Sequence, residues 1–126
     1  MSNPGELEVL GNGLQKKSYL YVQDCLDAII LATDKFNEKV NIVNLGTNEY
    51  CQVNDSIGWI TQHLGLKPKL KYSGGKSGWI GDVPFIFLDT AKVNKAGFKT
   101  KLNIKEAVIK TLEYLEQNKW VLEQVR

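Results

Sequence analysis

Short apolar runs separated by turn residues recur along this chain and alternate between two periods. A strand of period two needs only about five residues, whereas an amphipathic helix needs about ten or more. Such punctuation admits short strands and helices in alternation and excludes helices long enough to span a membrane. Glu6-Leu7-Glu8-Val9-Leu10 alternates charged and apolar side chains and predicts a half-buried strand, ended by the turn Gly11-Asn12-Gly13. Tyr19-Leu20-Tyr21-Val22 is expected to be extended. Asp24 then caps a helix that carries Leu26, Ile29, Ile30, Thr33 and Phe36 as its apolar positions and ends near Lys35. The β-branched run at 40–45, stopped by Gly46-Thr47, predicts a buried strand. A helix over 56–64 follows, capped by Asn54 or Asp55 and closed by Gly65.

The segment 67–72 alternates again, with Pro68 marking an edge strand and three lysines on one face. The one glycine-rich stretch, 74–81, sets Lys76, Ser77 and Trp79 among its glycines, a composition that suits a binding loop. After Phe85-Ile86-Phe87-Leu88, Asp89 is expected to cap a short helix over 90–95 that Gly97 closes. Asn103-Ile104-Lys105-Glu106 is an asparagine version of the capping box, opening a long helix with Ile104, Val108, Leu112 and Leu115 as its core stripe. Strands and helices in alternation make the class α/β, and 126 residues allow one domain over 1–126.

Sixteen basic against fourteen acidic residues leave a charge of +2, too little for a nucleic-acid footprint. The start of the chain has neither the basic nor the apolar region of a signal peptide, which with the short apolar runs predicts a cytoplasmic protein without a membrane partner. All basic residues but Arg126 are lysines, so a phosphate would be gripped by ammonium point charges or backbone N–H groups. Cys25, Cys51 and a helical His63 cannot assemble a metal site or a Cys-His nucleophile, and the cysteines read as reduced and buried. Tyr72-Ser73-Gly74-Gly75-Lys76 has the Tyr-x-x-x-Lys spacing of a dehydrogenase dyad, but two spacer glycines argue against the helical turn it needs. The Gly75, Gly78, Gly81 spacing imitates a dinucleotide loop, but no helical period follows to receive a pyrophosphate. No catalytic residue and no cofactor-binding residue is therefore assigned.

The order of the pieces resembles a known family. Gly11-Asn12-Gly13-Leu14-Gln15-Lys16-Lys17-Ser18-Tyr19-Leu20-Tyr21-Val22-Gln23-Asp24-Cys25-Leu26-Asp27-Ala28 is similar to a run of the extended short-chain dehydrogenases, the NAD-dependent nucleotide-sugar epimerases and dehydratases of UDP-glucose 4-epimerase type. Asn44-Leu45-Gly46-Thr47, Gly81-Asp82-Val83-Pro84 and Leu88-Asp89-Thr90-Ala91-Lys92 through Ala96-Gly97-Phe98 follow in the family's order. The resemblance covers the family's C-terminal, substrate-binding part; the Rossmann half, which would carry NAD and the Tyr-x-x-x-Lys dyad, has no match here. It implies a nucleotide-sugar ligand, a UDP-sugar, with Lys17 on the diphosphate in place of an arginine and Asp82 on the ribose. Gln15, Lys76 and Trp79 are further substrate-binding candidates, the last two standing where the family carries a phosphate-contacting arginine. By this reading the chain is silent alone and needs a Rossmann half in trans, and its uncovered face predicts a homo-oligomer. A stand-alone nucleotide-sugar-binding module and a non-catalytic assembly module are the alternatives.

Overall fold

The computed structural model describes residues 5–83 and 85–124. Residues 1–4, where a signal peptide would begin, Pro84 of the Gly-Asp-Val-Pro motif and Arg126 lie outside them. In chain order the elements are β1 (Glu6–Val9), β2 (Lys16–Lys17), α1 (Val22–Lys35), β3 (Cys51–Gln52), α2 (Val53–His63), β4 (Lys69–Tyr72), α3 (Ala91–Lys95), α4 (Ile104–Gln117) and α5 (Trp120–Glu123). Strands β1 and β4 pair in parallel, Glu6 opposite Lys69 and Val9 opposite Tyr72. Strands β2 and β3 pair antiparallel, Lys17 opposite Cys51. Among the described residues no helix is long and apolar enough to cross a membrane.

Packing follows the apolar stripes only in part. Ala28 of α1, Val93 of α3 and Phe98 form a buried cluster, with Leu20, Leu31, Val43 and Leu45 packed around it. Helices α2 and α4 pack together, with Ile104 and Ala107 buried near the start of α4. Asn103 accepts the Glu106 N–H at 2.9 Å while Glu106 accepts the Asn103 N–H at 2.8 Å, the reciprocal capping box read from the sequence. Gly65 and Gly97, after α2 and α3, take φ of 65° and 104°, as glycines closing a helix do.

Several expectations need correction. Helix α1 starts at Val22, so Asp24 is no cap: it is buried in the first turn, where Oδ1 accepts the Lys101 N–H at 3.1 Å. A distant backbone donor has claimed the carboxylate that a local reading gives to the helix end. Helix α2 likewise begins at Val53, three residues early, because the Asp55 carboxylate reaches back to the Gln52 N–H at 2.8 Å and extends the helix N-terminally. Thr90 stands at the N-cap of α3, although the Asp89 carboxylate does accept the Ala91 N–H at 2.9 Å. Cys25 is half-buried rather than buried.

The run 40–45 forms no strand: Val43 and Leu45 pack inward, Val40 and Ile42 face solvent, and no ladder partner stands beside it among the described residues. A strand is a paired structure, so β-branched residues alone leave an extended segment. Leu26, Ile29 and Ile30 of α1 are exposed, in keeping with the expected uncovered face, and the helix buries its Ala28 side. Together with Val40 and Ile42 they are large apolar side chains left without cover.

Candidate functional site

The β1 strand ends in a turn that three neighbours fix. Gly11 and Gly13 adopt φ of 81° and 74°, left-handed values that a Cβ disfavours, and the Leu14 N–H closes the turn on the Asn12 side chain at 3.0 Å. From β4's end, the Ser73 hydroxyl accepts the Gly11 N–H at 2.8 Å, and the Gly74 N–H donates to the Gly11 carbonyl at 3.1 Å. From α2, the first N–H groups donate to this turn: Val53 to the Gln15 carbonyl and Asn54 to the Gly13 carbonyl, both at 3.0 Å. Helix α2 therefore spends these N-terminal donors on protein carbonyls and does not offer them to an anion.

Beyond the turn, β2 puts successive side chains on opposite faces. Lys17 turns toward the glycine-rich loop, where its ammonium donates to Asp82 Oδ1 at 2.6 Å and to the Val83 carbonyl at 2.9 Å. The other Asp82 oxygen accepts the Gly78 N–H at 2.9 Å. Lys16, on the opposite face, lies 4.7 Å from the centroid of the Tyr50 ring and 5.7 Å from that of Phe85, within cation–π range.

Lys17 and Asp82, assigned separate tasks on the sequence, are thus one ion pair on the rim of an open cavity of about 410 Å³, which Gln15 and Trp79 also line. Gln15 is buried; its amide nitrogen donates to the Leu10 carbonyl at 3.0 Å, and its Oε1 is buried without a partner. Trp79 is largely exposed in the loop. Lys76 is exposed and lies outside the cavity wall, so it does not join the other four. Sequence reasoning missed Ser73 and Asn54, which hold the turn, and Leu10, which lines the cavity from β1's end. Serine beside a glycine pair was the available signal for Ser73.

The Lys17 ammonium, first, and then the Gly78 N–H hold the Asp82 carboxyl below the usual carboxylate range. A depressed value in the folded state means that the stabilisation is complete above the ordinary carboxylate range and is lost as pH falls through the depressed value. In an acid titration followed by NMR, the Asp82 carboxyl carbon and the Gly78 amide should move together with a midpoint below that of an unperturbed aspartate. A midpoint at or above the ordinary value would remove the ion pair.

The geometry does not fit a dinucleotide. Gly74, Gly75 and Gly81 have positive φ, the loop runs through a turn at 79–82, and the next helix is α3, starting only at Ala91. Tyr72 ends a strand and donates its hydroxyl to Asn54 at 3.0 Å, so Tyr72 and Lys76 share no helix face. Among the described residues no cluster of His, Cys, Asp and Glu could hold a metal ion.

No family model matches the chain. A Methanocaldococcus jannaschii protein provisionally named UDP-glucose 4-epimerase is 28% identical over 110 residues, covering 87% of this chain and 34% of its own length. A rice protein named as a GDP-L-fucose synthase is 26% identical over 117 residues, again covering 34% of its length. Among solved structures, a UDP-galactose 4-epimerase is 34% identical with a TM-score of 0.77, over 93% of this chain and 37% of that one. The UDP-glucose 4-epimerase of Thermotoga maritima, solved with UDP-glucose, is 27% identical with a TM-score of 0.74, over 91% of this chain and 36% of that one. The chain thus spans about a third of the length of each of these four proteins.

Proposed function

Because the chain belongs with the extended short-chain dehydrogenases as their C-terminal part, we propose that it is the nucleotide-sugar-binding portion of an NAD-dependent epimerase or dehydratase. The reading takes residues 1–126 as one unit whose ligand is a UDP-sugar. One observation carries it: Lys17 and Asp82, from motifs 65 residues apart, meet at 2.6 Å on the rim of a single cavity. Lys17 keeps one of its three N–H donors for a phosphate oxygen, Asp82 keeps lone pairs for ribose hydroxyls, and Gln15 and Trp79 form the wall. NAD and the base belong to a Rossmann half supplied by a further segment or another chain.

Two observations favour a partner over a stand-alone module. The α1 side chains Leu26, Ile29 and Ile30 are exposed, and Val40 and Ile42 stand exposed on a run that has no strand partner among the described residues, its Ile42 carbonyl accepting only the Lys92 ammonium at 3.2 Å. An apolar face and an open strand edge together suit the edge of a β-sheet. Where no such half is present, the same face pairs copies of this chain.

UDP-glucose should bind the isolated chain at millimolar to high-micromolar concentration in low-salt ligand-observed NMR. One charge-assisted bond contributes on the order of 1.5–3 kcal/mol, against several kcal/mol lost in immobilising the ligand. Lys17→Ala should weaken binding roughly tenfold, since it frees Asp82 and the loop end that Lys17 holds through Asp82 and the Val83 carbonyl. Absence of binding, or a Lys17→Ala protein that binds like the parent, overturns the reading. Mixing with a separately expressed Rossmann half and assaying epimerisation distinguishes the enzyme part from a binding or assembly module.

A further inference from the structure

The charges around this cavity are poorly matched to a diphosphate. Its wall carries two carboxylates, Glu8 and Asp82, against the single ammonium of Lys17. That ammonium has already given two of its three hydrogens, to Asp82 and to the Val83 carbonyl. A doubly charged diphosphate would meet one remaining donor and two like charges. The N-terminal donors of α2, Val53 and Asn54, are bonded to Gln15 and Gly13 and add nothing.

The opposite property is well provided. Trp79 opens a β-turn in which the Asp82 N–H donates to the Trp79 carbonyl at 3.1 Å and Gly81, at φ 94°, takes the third position, the signature of a type II turn. The six-membered ring of the indole lies against Gly81, where a Cβ would stand 3.2 Å from Cζ3. Asp82 ends this turn and is itself pinned by Lys17 and Gly78, so the tryptophan is carried on a fixed support. Even so the side chain is 65% exposed, beside Leu10 at 54%. An exposed indole on a pinned turn, at the mouth of a cavity, is a stacking platform for a flat ring.

We propose that this site holds its nucleotide mainly through the nucleoside, with the base stacked on Trp79, and that the diphosphate adds little. This rests on the cavity being the nucleotide-sugar site. Lys17 then acts chiefly by positioning: it fixes Asp82 and through it the turn that presents the indole.

The test compares uridine, UDP-glucose and free glucose by calorimetry and saturation-transfer NMR, at roughly 20 and 200 mM salt, a range over which Coulombic contacts are strongly screened. Uridine should bind within about threefold of UDP-glucose, both should change little with salt, and glucose should not bind. Trp79→Ala should weaken uridine and UDP-glucose alike, roughly tenfold, whereas Trp79→Phe should retain most of the affinity. An unchanged Gly78 amide resonance in the variants would show that the turn survives. UDP-glucose binding tenfold or more tighter than uridine with a steep salt dependence, or a Trp79→Ala protein that binds like the parent, overturns the proposal and leaves the nucleotide-sugar reading standing. If neither ligand binds, both fall.

Discussion

Gly13→Ala should lower the melting temperature by roughly 10 °C, whereas Gly58→Ala in the middle of α2 should raise it slightly. At Gly13 the backbone has φ 74°, and an added Cβ would stand 2.0 Å from the Asn54 side-chain oxygen. That oxygen accepts the Tyr72 hydroxyl at 3.0 Å, and the Asn54 N–H donates to the Gly13 carbonyl at 3.0 Å. The left-handed conformation costs a non-glycine residue about 1–2 kcal/mol. Displacing Asn54 removes up to two hydrogen bonds of about 1 kcal/mol each. The sum is about 3 kcal/mol, and 1 kcal/mol corresponds to roughly 3–5 °C for a domain of this size. Gly58 has open space where its Cβ would stand, so alanine there should gain about 0.5–1 kcal/mol of helix stability. Thermal and urea unfolding check both. A Gly13→Ala protein as stable as the parent would mean that the turn beneath the cavity is not constrained as described.

The paired substitution Ile30→Glu and Ile42→Lys should leave the isolated chain as stable as the parent and abolish its association. These side chains are 67% and 79% exposed, so exchanging them for charges removes little packing, and such surface changes usually stay within about 0.5 kcal/mol each. If a Rossmann half or a second copy covers this face, each isoleucine contributes roughly 1.5–3 kcal/mol on burial, and an unpaired charge in its place adds a desolvation penalty. Affinity for the partner should fall at least about 100-fold. Sedimentation of the chain alone and titration with a separately expressed Rossmann half supply the measurements. If the double variant unfolds, or associates like the parent, the face is not a docking surface.

Legibility in the sequence depended on whether the deciding partner was local. The capping box of Asn103 and Glu106 and the turn glycines Gly11 and Gly13 act within a few residues, and the reading placed them correctly. Asp24 looked like a cap because nothing nearby shows that the Lys101 backbone, 77 residues on, would take its carboxylate. The run 40–45 has the composition of a strand, but pairing depends on a neighbour that composition does not reveal. The apolar positions of α1 were legible from their spacing and expected to form an uncovered face; Leu26, Ile29 and Ile30 are indeed exposed, while the small Ala28, which spacing alone does not single out, is the residue that meets Val93. At the site, the motif order picked out Lys17, Asp82, Gln15 and Trp79, which share one cavity, but not that the first two are bonded to each other. Lys76 was a candidate because it stands where the family carries an arginine, and it is not among the residues that line the cavity.

The union of β1 with β4 and of Lys17 with Asp82 also sets the order of events when the chain folds. Helices α1 and α4 close on contacts a few residues apart and can form early, whereas the cavity wall exists only after a loop of more than 60 residues has closed, as in the Gly11–Ser73 bond. Closing it sacrifices chain entropy before the site's contacts compensate. Substitutions at Lys17, Ser73 and Asp82 should therefore leave the refolding rate nearly unchanged and accelerate unfolding, so a kinetic trace would register damage to the site almost wholly in its unfolding limb.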